Sequence, residues 1–203
     1  MVLMLSLGAF RAVDAGSATW KLNPITGDWN TAGNWDPPTV PNQSTDVATF
    51  DASSTTQISI SFAAPDRIDL DSMVFNPGAS AYTVTAAPTA SVYLDGAGII
   101  NNSGVTQNLV TQSSTTTYGY YSFSGNAAIV GPVIITNSAS QMVYPGGEAL
   151  FNDASSAGEA IIINEGGAAK QVGGGVTIFT GSATAANAAI TVEGGKMPHS
   201  HEA

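Results

Sequence analysis

The chain has 203 residues, 43% hydrophobic and only 10% charged, against roughly 25% charged in an average soluble domain. Five basic residues face fifteen acidic ones, a formal net charge of −10. That balance speaks against nucleic acid, whose phosphates need clustered Lys or Arg, and against an anionic membrane surface. Cysteine is absent, which removes disulfide frameworks, cysteine-rich zinc sites and cysteine nucleophiles. The polar surface must come from hydroxyls, amides and glycine backbone: serine and threonine total 42 residues, and glycine adds 22.

Residues 1–15 read as a secretory signal peptide. Val2 to Phe10 is apolar apart from Ser6, and Val13-Asp14-Ala15 supplies small residues for cleavage after Ala15. Residues 16–56 form a loop-rich stretch that holds all three tryptophans, Trp20, Trp29 and Trp35. From residue 57 to 195 period-two alternation takes over, the pattern of half-buried strands. Ile58, Ile60 and Phe62 share one face of a first strand, and Ile68 and Leu70 share one face of a second. Further strands are expected at Tyr82–Thr85, Ser91–Leu94, Val105–Val110, Val133–Thr136, Ala160–Ile163, Val176–Phe179 and Ala189–Val192. Asn-Pro-Gly, Gly-Ala-Gly and Gly-Gly clusters separate them, which is turn chemistry. Residues 196–203, KMPHSHEA, break the pattern and read as a tail.

A repeat over 151–195 selects among all-β folds. Phe151–Gly167 aligns with Phe179–Gly195 at an offset of 28, with seven of seventeen positions identical. One further step of 28 back lands on Phe123, and places Ile134 in register with Ile162. A period of this length, built from short strands and glycine turns, marks a solenoid. Propeller blades need longer repeats, so a right-handed parallel β-helix with a tryptophan-rich N-terminal cap is expected. Phe151 and Phe179 should stack inside it, and Ser, Thr and Asn should form ladders outside. From Ser72 to Gly147 the sole charge is Asp95.

The spacing W-x8-W-x5-W, continued as GNWDPPTVPNQSTDVATF, and the later VFNPGASAYTVT and YLDGAGIINNSGVTQNLV resemble bacterial autotransporter-like, repeat-rich surface proteins. The resemblance covers roughly residues 20–195. It implies a secreted or surface-displayed passenger folded as a right-handed β-helix, and it transfers no catalytic residue. Full-length members carry a translocating barrel of alternating strands, and no such stretch is seen here; a fragment or an unanchored short member is the expectation.

Few residues offer chemistry. Asp69 and Asp71 would share a strand face about 6.5–7 Å apart, and with Asp66 could form a carboxylate pair or calcium site. The solvated outer face of a strand explains them as well. His199 and His201 could offer two imidazoles, but lie in the tail. Gly173-Gly174-Gly175 lacks the Lys-Ser of a phosphate loop and reads as a corner. Trp20, Trp29 and Trp35, flanked by Asp28, Asn34 and Asp36, could stack on sugar rings if exposed; the competing reading has them plug the solenoid's end.

The expected function is therefore a non-catalytic secreted or cell-surface adhesin-like β-helix that needs no cofactor and does not insert into the membrane. Its expected partners are surface glycans or other β-helix coils docking end to end. The alternatives are a carbohydrate-binding module using the tryptophans and Asp36, or a polysaccharide-degrading enzyme. The enzyme reading is weakened because no basic residue occurs from Ile68 to Ala169.

Overall fold

The computed structural model describes residues 16–61, 67–140, 145–169 and 172–195. The expected signal peptide, Phe62, Asp66, and the tail with His199 and His201 lie outside these residues. Among the described residues the chain is all-β, a β-solenoid of about six turns.

The chain opens with β1 (Ala18–Trp20), a single 3-10 turn (Ala32–Asn34), β2 (Trp35–Asp36) and β3 (Val47–Phe50). The ascending turns then contain β4 (Gln57–Ile60), β5 (Arg67–Phe75), β6 (Thr83–Ala86), β7 (Ser91–Asn101), β8 (Gln107–Thr111), β9 (Tyr120–Phe123), β10 (Ala128–Val130) and β11 (Val133–Asn137). The last turns hold β12 (Glu148–Phe151), β13 (Ile161–Asn164), β14 (Val176–Phe179) and β15 (Ala189–Val192). Every strand pair is parallel except β1–β2. The stacked strands already include β1 and β3, within the stretch read as cap.

Three faces emerge from the pairing. One face stacks β4, β6, β8, β11, β13 and β15. A second stacks the first halves of β5 and β7 under β9, β12 and β14. A third stacks β1, β3 and the second halves of β5 and β7 under β10. The corner between the last two is a register jump: Leu70 faces Leu94, but Ser72 faces Gly98. Such an irregularity bends a strand, and here it lets one strand serve two faces.

Alternation fills the interior. In β4, Ile58 and Ile60 are buried while Gln57 and Ser59 are exposed. Inward columns then run vertically, one residue per turn: Ile58, Val84, Leu109, Ile135, Ile162 and Ile190 on one face. On the second face Leu70 and Leu94 sit beneath Phe123, Phe151 and Phe179. The three phenylalanine rings stack with centroids 4.7 and 4.8 Å apart and planes within 11°, so the expected aromatic stack is present. It is not uniformly interior. Phe151 is fully buried, whereas Phe179 in the last turn is only partly buried, because nothing stacks above it among the described residues.

One register expectation fails. Ile162 pairs with Ile135, and Ile134 pairs with Ile161, so this step is 27 residues, not 28. The preceding turn has one more residue between Phe123 and the next face, around the left-handed Gly131 (φ +85°). A slip of one residue reverses the faces: Ile135 points in and is fully buried, while Ile134 points outward and is partly exposed.

The expected outer ladders exist in part; Thr180 donates to Asn152, which donates to Ser122. The longest amide ladder is inside. Thr111, Asn137 and Asn164 occupy one inward column and are all buried. The Thr111 hydroxyl donates to Asn137 Oδ1 (3.0 Å). Asn137 Nδ2 reaches Asn164 Oδ1 (2.8 Å) and the Val176 carbonyl (2.9 Å), and the Thr177 hydroxyl donates to Asn164 Oδ1 (2.8 Å). A buried amide is costly unless its donors and acceptors are matched, and this column matches them turn to turn.

Candidate functional site

The tryptophan cluster closes the N-terminal end. Trp35 makes edge contacts with Trp20 (5.0 Å between centroids) and Trp29 (4.8 Å). The cluster rests on Phe50 through Trp29 and Trp35, and Phe50 stacks on Phe75 at 4.7 Å. Each indole N–H has an acceptor: Trp20 the Thr55 carbonyl, Trp29 the Pro41 carbonyl, Trp35 the Trp29 carbonyl. Asn34, fully buried, ties the loop by accepting from the Ile25 and Thr26 N–H groups and donating to the Asp28 carbonyl. The sheet ends at β2, only two residues long and antiparallel to β1. Beneath β4, Trp29 N–H donates to the Ser59 carbonyl and Ser59 N–H to the Gly27 carbonyl.

This geometry corrects the sugar-platform reading. Stacking needs an open ring face, and Trp20, Trp29 and Trp35 expose 1% or less of their surface. Asp36 is exposed, but the ring beside it, Trp35, is turned into the core by the alternation of β2. The three rings serve as a plug.

Asp69 and Asp71 both take outward positions on β5, between the buried Ile68, Leu70 and Ser72. Asp69 lies outward on β5 and accepts two hydrogen bonds from Arg67 Nε, at 2.6 and 2.8 Å. Asp71 sits at the register jump, with its N–H bonded to the Asp46 carbonyl and its carboxylate packed against Gly96, so that a Cβ there would displace it. Among the described residues no group of three or more His, Asp or Glu stands close enough to hold a metal ion.

A polar cluster missed at the sequence level surrounds Arg67. Its guanidinium carbon lies 3.7 Å from the centroid of the Tyr93 ring, one turn above. The Tyr93 and Tyr120 hydroxyls hydrogen-bond to each other. Burial, then the Tyr120 bond, pushes the Tyr93 phenol up to about 12. The hydrogen bond to Asp69 raises Arg67, and burial raises the Asp95 carboxyl. The Tyr93 phenol therefore stays protonated near neutrality, and the Arg67 guanidinium is engaged by Asp69 and the Tyr93 ring. The sequence signal was weak because Arg67, Tyr93 and Tyr120 come from turns of unequal length.

Two other features lie on the described surface. A polar cleft of about 430 Å³ is lined by Pro88, Gln112, Ser113, Ser114, Ser138 and Ala139, without a charged group. Gly173, Gly174 and Gly175 form a corner, as expected: Gly175 N–H donates to the Glu165 carbonyl, and a Cβ on Gly175 would sit 1.9 Å from the Asn137 carbonyl oxygen. Close turn-to-turn approach is what demands glycine there.

Comparison of the chain with protein-family models, curated proteins and solved structures finds no match in any of the three.

Proposed function

We propose that this protein is a non-catalytic, secreted or surface-displayed β-solenoid, the passenger type of autotransporter-like surface proteins, working as a stiff display scaffold. The observation that carries this reading is the unbroken parallel stack itself. About six turns rising ~4.8 Å each give a rod whose interior is saturated by apolar columns and a matched amide ladder. Its outward rows are largely neutral: Thr19 and Thr49, Ser59 and Thr85, Thr83 and Asn108. Such a surface contacts a partner through many weak hydroxyl and amide bonds rather than through a charged pocket. The arrangement of Arg67, Tyr93 and Tyr120 fits this role, since it consumes the charges it contains.

Cell fractionation of the native host with an antibody to the folded chain tests the location. Protein in the culture medium or on intact cells is expected, and confinement to the cytoplasm overturns the reading. Beads coated with the protein should bind cells or glycan surfaces through the long faces. Release of reducing ends from polysaccharides would overturn the non-catalytic half.

A further inference from the structure

The two ends of the solenoid are built differently. At the N-terminal end β2 and the Gly27–Trp29 strip take up edge groups of the first turn. At the other end, β14 and β15 are the outermost strands of their faces. In β15 the N–H groups of Ala189 and Glu193 bond to the turn below. By parallel alternation, the backbone groups of Ile190 and Val192 then face outward along the axis. The side chains of these residues cover the interior columns, yet Ile190 is 42% and Val192 75% exposed. This last turn carries the same Phe, Ile and Ala positions as the turn beneath it, so it is made as an interior turn with its upper neighbour missing among the described residues.

Charge indicates what fits there. The chain carries −10 overall, yet Gln171 to Val192 contains no charged residue. Glu193 is the one charged residue in the described part of this last turn (residues 172–195), and an antiparallel joint sets it opposite Ala189 of the other copy rather than against its own counterpart, whereas the acidic flanks repel in any side-by-side contact. We propose that two copies of this chain join tail to tail across their β15 edges, and that assembly stops at the dimer.

A two-fold axis normal to the β15 face makes the two β15 strands antiparallel, which supplies each Ile190 and Val192 backbone group with a partner. The same rotation brings Phe179 of each copy toward the small Ala183 and Ala185 at the opposite corner. Bulky and small residues then meet across the joint. Head-to-tail growth is blocked, because the plugged end offers only the two-residue β2. This inference does not depend on the display reading above.

Sedimentation of the full chain across a concentration series tests it. A concentration-dependent species of about twice the 20.5 kDa chain mass is expected. Val192→Lys should raise the dimer dissociation constant by about tenfold or more, with an unchanged far-ultraviolet spectrum. Ile190→Pro removes one axis-facing N–H without touching the ladder to β13 and should act likewise. Leu22→Lys, at the plugged end, should leave the dimer intact. Because the chain has no cysteine, a spin label on Ile178→Cys should report short intermolecular distances and one on Leu22→Cys none. A monomer at every concentration, which the chain's own residues 196–203 covering the edge would give, overturns the proposal. So do species that grow beyond two copies, or dissociation by Leu22→Lys.

Discussion

The N-terminal and C-terminal ends of this solenoid solve the same problem in different ways. A stacked turn always leaves one set of apolar side chains and backbone groups without a neighbour. At the N-terminal end three indoles, a reversed two-residue strand and a buried asparagine take up that surface, and the chain has no tryptophan outside this cluster. At the C-terminal end Phe179, Ile190 and Ala188 simply copy Phe151, Ile162 and Ala160. A lid must differ from the layers it covers, whereas a layer that expects another layer need not. Sequence repetition therefore marks interior turns, and its loss marks a sealed end.

The largest expected effects separate the two aromatic stacks. Truncating Trp35 or Phe151 to Ala should each cost ~3–5 kcal/mol in chemical denaturation, since both are fully buried. Phe179→Ala should cost only about 1–2 kcal/mol, because part of that ring is already in water. Both losses are to be read at dilutions where the chain is monomeric; equal losses at Phe151 and Phe179 there would mean that the single chain covers its own final turn, and the contrast between the ends would disappear.

Two of the buried asparagines, Asn34 and Asn137, sharpen the comparison at the next level. Asn137→Ala strips partners from Thr111, Asn164 and the Val176 carbonyl deep in the stack, and should cost on the order of 3 kcal/mol. Asn34→Ala frees the N–H groups of Ile25 and Thr26, both exposed residues that water can reach, so about 1–2 kcal/mol is expected. Thermal or urea unfolding of the two variants side by side gives the ratio. A larger loss at Asn34 would show that the lid, not the ladder, holds the solenoid together.

Much of this architecture is legible in the amino-acid sequence. Val176–Phe179 and Ala189–Val192 are strands with the bounds that alternation suggested, and the Phe123, Phe151, Phe179 column follows from the 28-residue step. The reading broke where alternation lost contrast. Val133-Ile134-Ile135 is apolar throughout, so only the extra residue near Gly131 decides which isoleucine points in. Alternation does not mark Tyr120–Phe123 or Glu148–Phe151, because Tyr-Tyr-Ser-Phe and Glu-Ala-Leu-Phe show no clean period of two; the turns below impose their register. Val47–Phe50 was hidden inside a stretch classed as cap. The Arg67 cluster was invisible for another reason: early turns step by 24 to 29 residues, so no repeat brings Arg67 over Tyr93 and Tyr120 on paper. The tryptophans could be read as lid or as platform, and only their burial distinguishes the two.

The smallest expected effect compares one corner in two successive turns. Gly158 adopts a left-handed conformation (φ +60°), and 28 residues later Ala186 does the same (φ +50°). At Gly158 an added Cβ would lie 1.9 Å from the Ile129 carbonyl oxygen of the turn below. Gly158→Ala therefore combines the left-handed penalty with a backbone clash, and should lose more than about 1 kcal/mol. Ala186 already carries its Cβ in that conformation at the exposed final turn. Ala186→Gly relieves a left-handed strain of about 1 kcal/mol but gives the unfolded chain the extra freedom of glycine, worth roughly 0.5–1 kcal/mol. The net should be close to zero or slightly stabilising. Urea unfolding of the pair decides it. If Gly158→Ala is as harmless as Ala186→Gly, the interior turns are spaced more loosely than the glycine contacts require. A clear loss at Ala186→Gly at dilutions where the chain is monomeric would instead mean that its methyl group packs against something above it within the single chain, and that the final turn is not the open end of the stack.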